Sequence, residues 1–312
     1  KLLTKKYQKS IYKELFQRVE PELDKNAATV IVLDPLIQNL PIESLINSED
    51  KYLFESGLWI RCNSLSDLMQ TTKNFRERIL SQEQRINNFQ NLVGLTNDVI
   101  NPKILALGGV DYEVEANNYR SIRGSTSLSF LPWTSVETES IKKRFRNAKI
   151  LNGDSANETF IKTKNLNNYS ILHFATHGLS FYDNYKDSSL LLSPDKYNDG
   201  LLRYSEIINL DLTNVDIVFL SACETNFARP FKNLTSPSIQ QAFKIAGAAS
   251  VISTLWVIDD KASSLFVDIY YEEFLRTGFS VYALNQARSR FIEKYPEYAH
   301  PYYWAAFAHF GV

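Results

Sequence analysis

The chain has 312 residues, 44% of them hydrophobic, enough to bury one large core or two smaller ones, and this excludes an intrinsically disordered chain. Its 34 lysines and arginines nearly cancel its 35 aspartates and glutamates, for a formal net charge of −1, so direct nucleic-acid binding is not expected. The longest apolar stretch, Ala246 to Ile258, is broken by Ser250, Ser253 and Thr254 and falls short of the roughly 20 residues of a membrane span, so no membrane is expected as a partner either.

In chain order, Lys5 to Arg18 spaces Tyr7, Ile11, Leu15 and Val19 about four apart, the period of an amphipathic helix that packs through those residues. Thr29-Val30-Ile31-Val32-Leu33, closed by Asp34-Pro35, reads as a short buried strand, and Leu58 to Cys62 as a second. Leu65 to Leu95 is charged and amide-rich with sparse apolar positions, which predicts helices and a connecting segment. A boundary near Val99 follows, with an N-terminal helix and small α/β region over 1–98 and a larger domain over 99–312.

Beyond Val99, short apolar runs alternate with helical periods, the pattern of a mostly parallel sheet covered on both faces. The runs are Ile104 to Leu107, Ala148 to Leu151, Ser170 to Ala175, Ile217 to Leu220, Ala249 to Leu255 and a final aromatic run, Tyr302 to Phe310. Helices are predicted over Val136 to Phe145, Glu158 to Thr163, Pro237 to Ala246, Lys261 to Leu275 and Ser280 to Tyr295. Asp154-Ser155-Ala156-Asn157-Glu158 and Thr235-Ser236-Pro237 carry helix-start signals, a capping side chain or a first-turn proline. The expected architecture is α/β: a mostly parallel six-stranded sheet flanked by helices, with a smaller N-terminal α/β region.

In such sheets, functional residues gather at the carboxyl ends of the parallel strands, where loops vary over a rigid frame. That rule selects His177-Gly178, just after the strand at Ser170 to Ala175, and Cys223, just after the strand at Ile217 to Leu220. A thiolate that attacks a peptide carbonyl needs an imidazole to handle protons and donors for the developing oxyanion. His177 and Cys223 lie 46 positions apart on consecutive strand ends, which brings both to one rim. Gly178 removes a Cβ beside the substrate path, so the backbone amides of Gly178 and Cys223 are the candidate oxyanion donors. Each residue alone has a plainer reading, a buried structural thiol and a satisfied core histidine. Their joint placement favours a catalytic dyad.

Other candidates carry less. His173 and His177 are four apart, but in an extended strand that is about 13 Å, too far to share an ion, so His173 reads as structural. No CxxC or HExxH pattern is present, so zinc chemistry has no support. Cys62 ends a predicted strand and reads as core filler. Gly108-Gly109 lacks the rest of a nucleotide-binding fingerprint and reads as a tight turn. Ser221 is not set in a GxSxG elbow, which argues against a serine hydrolase. Two cysteines and no cationic, apolar leader pattern point to a reducing, cytoplasmic setting. The chain opens on Lys1 with Met69 its only methionine, so a piece of a longer protein or a processed product is expected.

Ile171-Leu172-His173-Phe174-Ala175-Thr176-His177-Gly178 and Phe219-Leu220-Ser221-Ala222-Cys223-Glu224-Thr225 resemble the double motif of the CHAT family of caspase-related cysteine peptidases, a group similar to separase. The likeness extends to Leu40-Pro41-Ile42-Glu43-Ser44-Leu45, to Ala246-Gly247-Ala248-Ala249-Ser250-Val251, to Leu255-Trp256-Val257-Ile258-Asp259-Asp260-Lys261-Ala262, and to the closing segment from Pro301 to Gly311. It covers the chain from about Leu15 to the end. The 46-residue spacing is also close to the roughly 50 of the caspase histidine and cysteine.

The resemblance implies a caspase-like fold, a His177–Cys223 dyad and peptide-bond hydrolysis through a thioester, without metal or organic cofactor. It further implies a protein substrate, and activation by a partner protein or by upstream tetratricopeptide repeats. The chain departs from the family after Thr225, where Asn226 to Ser238 replace glycine-rich sequence, and this bears on the loop that borders the substrate groove. Asp259 and Asp260 are candidates to receive an arginine or lysine at P1, with helix capping as the rival role for one of them. Glu224 is a third groove candidate. The competing function is a non-catalytic caspase-like interaction module.

Overall fold

The computed structural model describes residues 4–23, 28–34, 37–64, 67–69, 102–112, 131–181, 184–222, 230–231, 234–235 and 238–311. Its strands, in chain order, are β1 (Ala28–Val32), β2 (Leu58–Cys62), β3 (Ile104–Gly108), β4 (Lys149–Asn152), β5 (Ile171–Thr176), β6 (Gly178–Leu179), β7 (Ser189–Leu191), β8 (Leu201–Arg203), β9 (Ile217–Ala222), β10 (Pro230–Phe231), β11 (Leu234–Thr235), β12 (Ser250–Thr254) and β13 (Phe307–Gly311). The α-helices are α1 (Lys5–Leu15), α2 (Pro132–Arg144), α3 (Glu158–Thr163), α4 (Tyr204–Ile207), α5 (Ile239–Ile245), α6 (Asp260–Thr277), α7 (Ser280–Lys294) and α8 (Pro301–Trp304). The helices expected between Leu65 and Leu95 and the boundary near Val99 fall largely outside the described residues.

One sheet organises the molecule, in the order β1-β2-β13-β12-β9-β5-β3-β4. Strands β12, β9, β5, β3 and β4 run parallel, β13 lies antiparallel against β12, and β2 and β1 follow parallel to β13. The six expected strands are β3, β4, β5, β9, β12 and β13, and the two strands predicted in the N-terminal region, β2 and β1, extend the same sheet to eight. The β-branched runs of the N-terminal region extend the edge of β13, where Phe310 stands opposite Arg61. Two small antiparallel sheets, β6-β7-β8 and β10-β11, complete the described pairing.

Strand alternation divides the core. Leu172, Phe174, Val218 and Leu220 join Ile161 of α3, Ile207 of α4 and Phe243 of α5 on one face. Ile171, Ile217 and Phe219 join Ile141 of α2, Phe266 of α6, Phe291 of α7 and Trp304 of α8 on the other. Each fully buried side chain such as Phe174, Phe219 or Phe266 contributes about 1.5–3 kcal/mol of transfer free energy. Helix α6 ends at Gly278, whose φ of 72° lies in the left-handed region and lets its N–H return to the Phe274 carbonyl at 2.8 Å.

Two expectations change. The packed face of α1 is one residue out of phase: Gln8, Tyr12 and Phe16 are buried, while Tyr7, Leu15 and Val19 are exposed. Phe16 meets Trp59 edge-on at 5.5 Å and the Gln8 amide donates to the Ser44 carbonyl at 2.9 Å, contacts that hold this face inward. The closing aromatic run divides into α8 and β13. Pro301 sits in the first turn of α8, and the His300 ring accepts from the Tyr302 amide at 3.2 Å, so the run starts as a helix.

Candidate active site

The parallel block puts the carboxyl ends of β3, β5, β9 and β12 along one rim. Register decides what meets there. Thr176, the last residue of β5, is paired with Ala222, the last residue of β9. His177 follows the first and Cys223 follows the second. Cys223 and Glu224 lie outside the described residues, so the described part of the site is the frame that leads up to them.

His177 is half-buried and tied down on three sides. Its carbonyl accepts from the Leu191 amide at 2.9 Å, which starts the antiparallel pairing of Gly178 with Leu190. Its own amide donates to the Tyr112 hydroxyl at 3.2 Å. The Tyr112 ring stands edge-on to the imidazole, with centroids 4.6 Å apart and planes at 67°. Tyr112 is fully buried, its oxygen is 2.5 Å from the Thr176 hydroxyl, and Thr176 in turn donates to the Leu191 carbonyl. Histidine and tyrosine therefore share one closed network across the ends of β3, β5 and β7.

Tyr112 reaches this position through the turn after β3. A Cβ on Gly108 would come within 2.9 Å of the Thr134 carbonyl, so only glycine lets the start of α2 approach the strand this closely. Gly109 follows with φ of 59°, and its N–H donates to the Thr134 hydroxyl at 3.0 Å. The Gly108-Gly109 pair is a tight turn that docks α2.

On the other side of β9, the Thr254 hydroxyl donates to the Ala222 carbonyl at 2.7 Å, and both residues are buried. Asp259 and Asp260 follow where β12 gives way to α6. Asp259 is exposed and its carboxylate caps that helix, accepting from the Ala262 amide at 2.9 Å. Asp260 is half-buried and accepts from the Trp133 amide at 2.8 Å, which links the first turns of α6 and α2. Burial pushes the Asp260 carboxyl up to about 6; the nearby charges of Glu137 and Asp259 add to that, while the Trp133 amide works against it.

Beneath the rim lies a buried polar group centred on His173. Its Nε2 is 2.7 Å from Glu137 Oε1 and its Nδ1 is 3.0 Å from the Tyr271 hydroxyl. Burial raises the Tyr271 phenol well above its ordinary value, so it stays neutral. Glu137 Oε2 accepts from Ser221 at 3.2 Å, and Ser221 is 2.9 Å from Ser263. The floor under the last residues of β9 is thus hydrogen-bonded rather than apolar. Cys62 is buried at the end of β2, apart from this network.

Tyr112, Thr254 and Glu137 were not selected from sequence. Tyr112 lies four residues past an apolar strand and Thr254 at the end of another, so the strand-end rule extends to both. Among the described residues, no three histidine, cysteine, aspartate or glutamate side chains converge as a metal site, and no helix is long and apolar enough to cross a membrane.

The family model of the CHAT domain matches residues 5–312. No curated protein matches the sequence. Among solved structures, separase of Saccharomyces cerevisiae in its complex with securin superposes with a TM-score of 0.54 at 16% identity, over 92% of this chain and 16% of the separase chain. The Arg-specific cysteine proteinase gingipain R superposes with a TM-score of 0.55 at 12% identity, over 98% of this chain and 66% of its own. A complex of the pro- and mature domains of RgpB from Porphyromonas gingivalis gives 0.53 at 12% identity, over 98% of this chain and 67% of that one. The chain thus spans about a sixth of separase and two thirds of the gingipain chains. These likenesses establish a shared caspase-like α/β fold.

Proposed function

The chain belongs to the CHAT domain family, and from that premise we propose that it is a cysteine endopeptidase, with Cys223 as nucleophile and His177 as its proton-transfer partner. The observation that carries the reading is the pairing of Thr176 with Ala222. The residues next in sequence after this pair, His177 and Cys223, carry an imidazole and a thiol, and neighbouring strands such as β5 and β9 lie about 4.8 Å apart. Tyr112 and Leu191 hold the backbone of the imidazole, as a proton-transfer group requires.

In this reading His177 takes the thiol proton, and the thiolate electron pair forms a bond to the scissile carbonyl carbon while the π pair moves to oxygen. The amides of Gly178 and Cys223 donate to that oxyanion. When the carbonyl re-forms, the C–N bond breaks, and the amine leaves with the proton from the imidazolium. Water, deprotonated by His177, then attacks the thioester carbon, which releases the acid and restores the thiol.

The half-buried carboxylate of Asp260 at the rim supports a basic residue at P1, a preference that the name of the gingipain neighbour also carries. Asp259 adds negative charge beside it while capping α6, and Glu224 is a further candidate for the groove. The substrate is a protein. Control falls to a partner or an upstream repeat region, in line with neighbours seen bound to securin or to a pro-domain. A reducing, cytoplasmic setting keeps such a thiol active.

The test is covalent labelling with peptidyl acyloxymethyl ketones and location of the adduct by mass spectrometry. Modification at Cys223 that disappears in His177→Ala supports the dyad. An unlabelled Cys223 under every activating condition favours the non-catalytic interaction module.

A further inference from the structure

We infer that the outer edge of β1 joins two copies of this chain, which pair antiparallel about Val30 with their α1 helices side by side over the seam. The inference goes beyond the peptidase reading and does not depend on it.

Strand β1 ends the sheet. Its one neighbour is β2, and among the described residues no hydrogen bond leaves its other edge. Alternate residues of a strand turn both N–H and C=O to the same side, so about half of the β1 backbone groups are held outward without a partner. Folded proteins blunt such an edge with lysine, proline or a bulge. Ala28-Thr29-Val30-Ile31-Val32 has no lysine or proline, its pairing with β2 is unbroken, and every residue after Ala28 is β-branched. Ala28 is exposed and the other four residues are half-buried, so a second strand can reach the edge.

Helix α1 lies at the same end of the molecule. Its Ile11 and Ile31 of β1 pack against one cluster, that of Tyr12, Phe16 and Trp59. At about 100° per residue, Tyr7, Ile11 and Leu15 fall on one flank of α1, and Lys6, Lys9 and Lys13 on the opposite flank. The basic flank is served by solvent and by Asp50, which pairs with Lys9. The apolar flank is bare: Tyr7 is 60% exposed and Leu15 40%.

A second copy satisfies both features at once. A strand from another protein would complete β1 and leave α1 uncovered, and a lone helix would do the reverse. A twofold axis normal to the sheet at Val30 sets Thr29 opposite the second copy's Ile31 and Ala28 opposite its Val32, with about four to six new backbone hydrogen bonds. The same axis keeps both α1 helices on one face of the joined sheet. Tyr7 of each copy then meets Leu15 of the other, while the lysines stay on the outer flanks, so no like charges are brought together.

Sedimentation of the intact chain measures the assembly. The wild type is expected to dimerise at micromolar concentration. Tyr7→Glu combined with Leu15→Glu, both at exposed positions, raises the dissociation constant on the order of 100-fold and leaves the melting temperature unchanged. Val30→Cys tests the register: it meets its own counterpart across the axis with Cα atoms about 5 Å apart, so mild oxidation gives a linked dimer whose bridge mass spectrometry places at position 30. Thr29→Cys stands two residues out of step with its counterpart, beyond the roughly 7 Å limit of a disulfide, and gives no linked dimer. A wild type that stays monomeric at about 100 µM overturns the inference and leaves the edge to a strand or helix from elsewhere. A dimer that the double glutamate variant does not weaken, or that Val30→Cys does not link, overturns it too, because another surface then holds the copies together.

Discussion

Tyr112 and His177 are held to each other twice: the histidine amide donates to the phenolic oxygen at 3.2 Å, and the two rings meet edge-on at 4.6 Å. The two contacts are separable by mutation. Tyr112→Phe keeps the ring but takes one partner from the buried Thr176 hydroxyl and one from the His177 amide, at an expected cost of about 1–3 kcal/mol in urea unfolding. Tyr112→Ala also frees the imidazole, and a displaced proton-transfer group lowers kcat by on the order of 100-fold. Denaturation curves and the pH dependence of Cys223 alkylation check both. If Tyr112→Ala turned over substrate as fast as Tyr112→Phe, the ring contact would be structural only.

If Asp260 receives a basic P1 residue as proposed, it sets a pH limit for that substrate. Its carboxyl, pushed up to about 6 by burial and then by Glu137 and Asp259, is charged above that value and neutral below it. An arginine at P1 needs the charged form, so kcat/KM for arginyl substrates falls about tenfold per pH unit below 6. Asp260→Asn removes that limb and lowers kcat/KM for arginyl substrates at pH 7.5 while sparing alkylation by iodoacetamide. A limb that persists in Asp260→Asn assigns the titration to another group.

The parts of the site that could be read from sequence are those set within one strand and its next residue. Short β-branched runs stand out, so His177 and Cys223 were placed at strand ends, and α3 was found at Glu158–Thr163 because its cap, Asn157, is local. Periodicity gives the spacing of a helix face but not its phase, which is why α1 packs through Tyr12 and Phe16, with Ile11 at their margin, while Tyr7 and Leu15 are exposed. Tyr112 and Thr254 stayed hidden for another reason. Each acts on a strand end 64 or 32 residues away, and only the strand order brings them beside it.

The N-terminal region is fastened to the sheet by a buried charge cluster. Arg61 of β2 donates to both Glu43 oxygens, at 3.2 and 2.6 Å, and to the Gln38 and Leu40 carbonyls, while Arg288 of α7 is 3.9 Å from Glu43. Burial alone would raise the Glu43 carboxyl, but the Arg61 and Arg288 charges more than offset it and hold it below its ordinary value. Burial lowers Arg288 to about 10 despite Glu43. Glu43→Gln therefore leaves two buried guanidinium groups against no anion, an expected loss of about 3–5 kcal/mol by chemical denaturation. A loss below about 1 kcal/mol, the range of exposed pairs, would mean that water reaches the cluster.

His309 makes the same edge of the sheet sensitive to acid at an unexpectedly high pH. Its ring is buried in β13 with Nε2 2.7 Å from the Ser280 hydroxyl; burial first, and then the charges of Lys244 and Arg288, lower it from 6.5 to about 3. Between those values the unfolded chain binds a proton that the folded chain refuses, so stability rises with pH across this window and is lost as pH falls from 6.5 towards 3. Glu43 works in the same direction only lower down, since a lowered carboxyl stabilises above its unfolded value and loses that contribution as pH falls through the folded one. Melting temperatures should therefore begin to fall near pH 6, less steeply than His309 alone would give, because Asp260, raised to about 6, takes up a proton in the folded chain over part of the same range. His309→Gln, which cannot take up the proton, should move that onset to below about pH 4.5, where Glu43 takes over. An onset near pH 6 that survives this substitution would place the acid-sensitive group elsewhere.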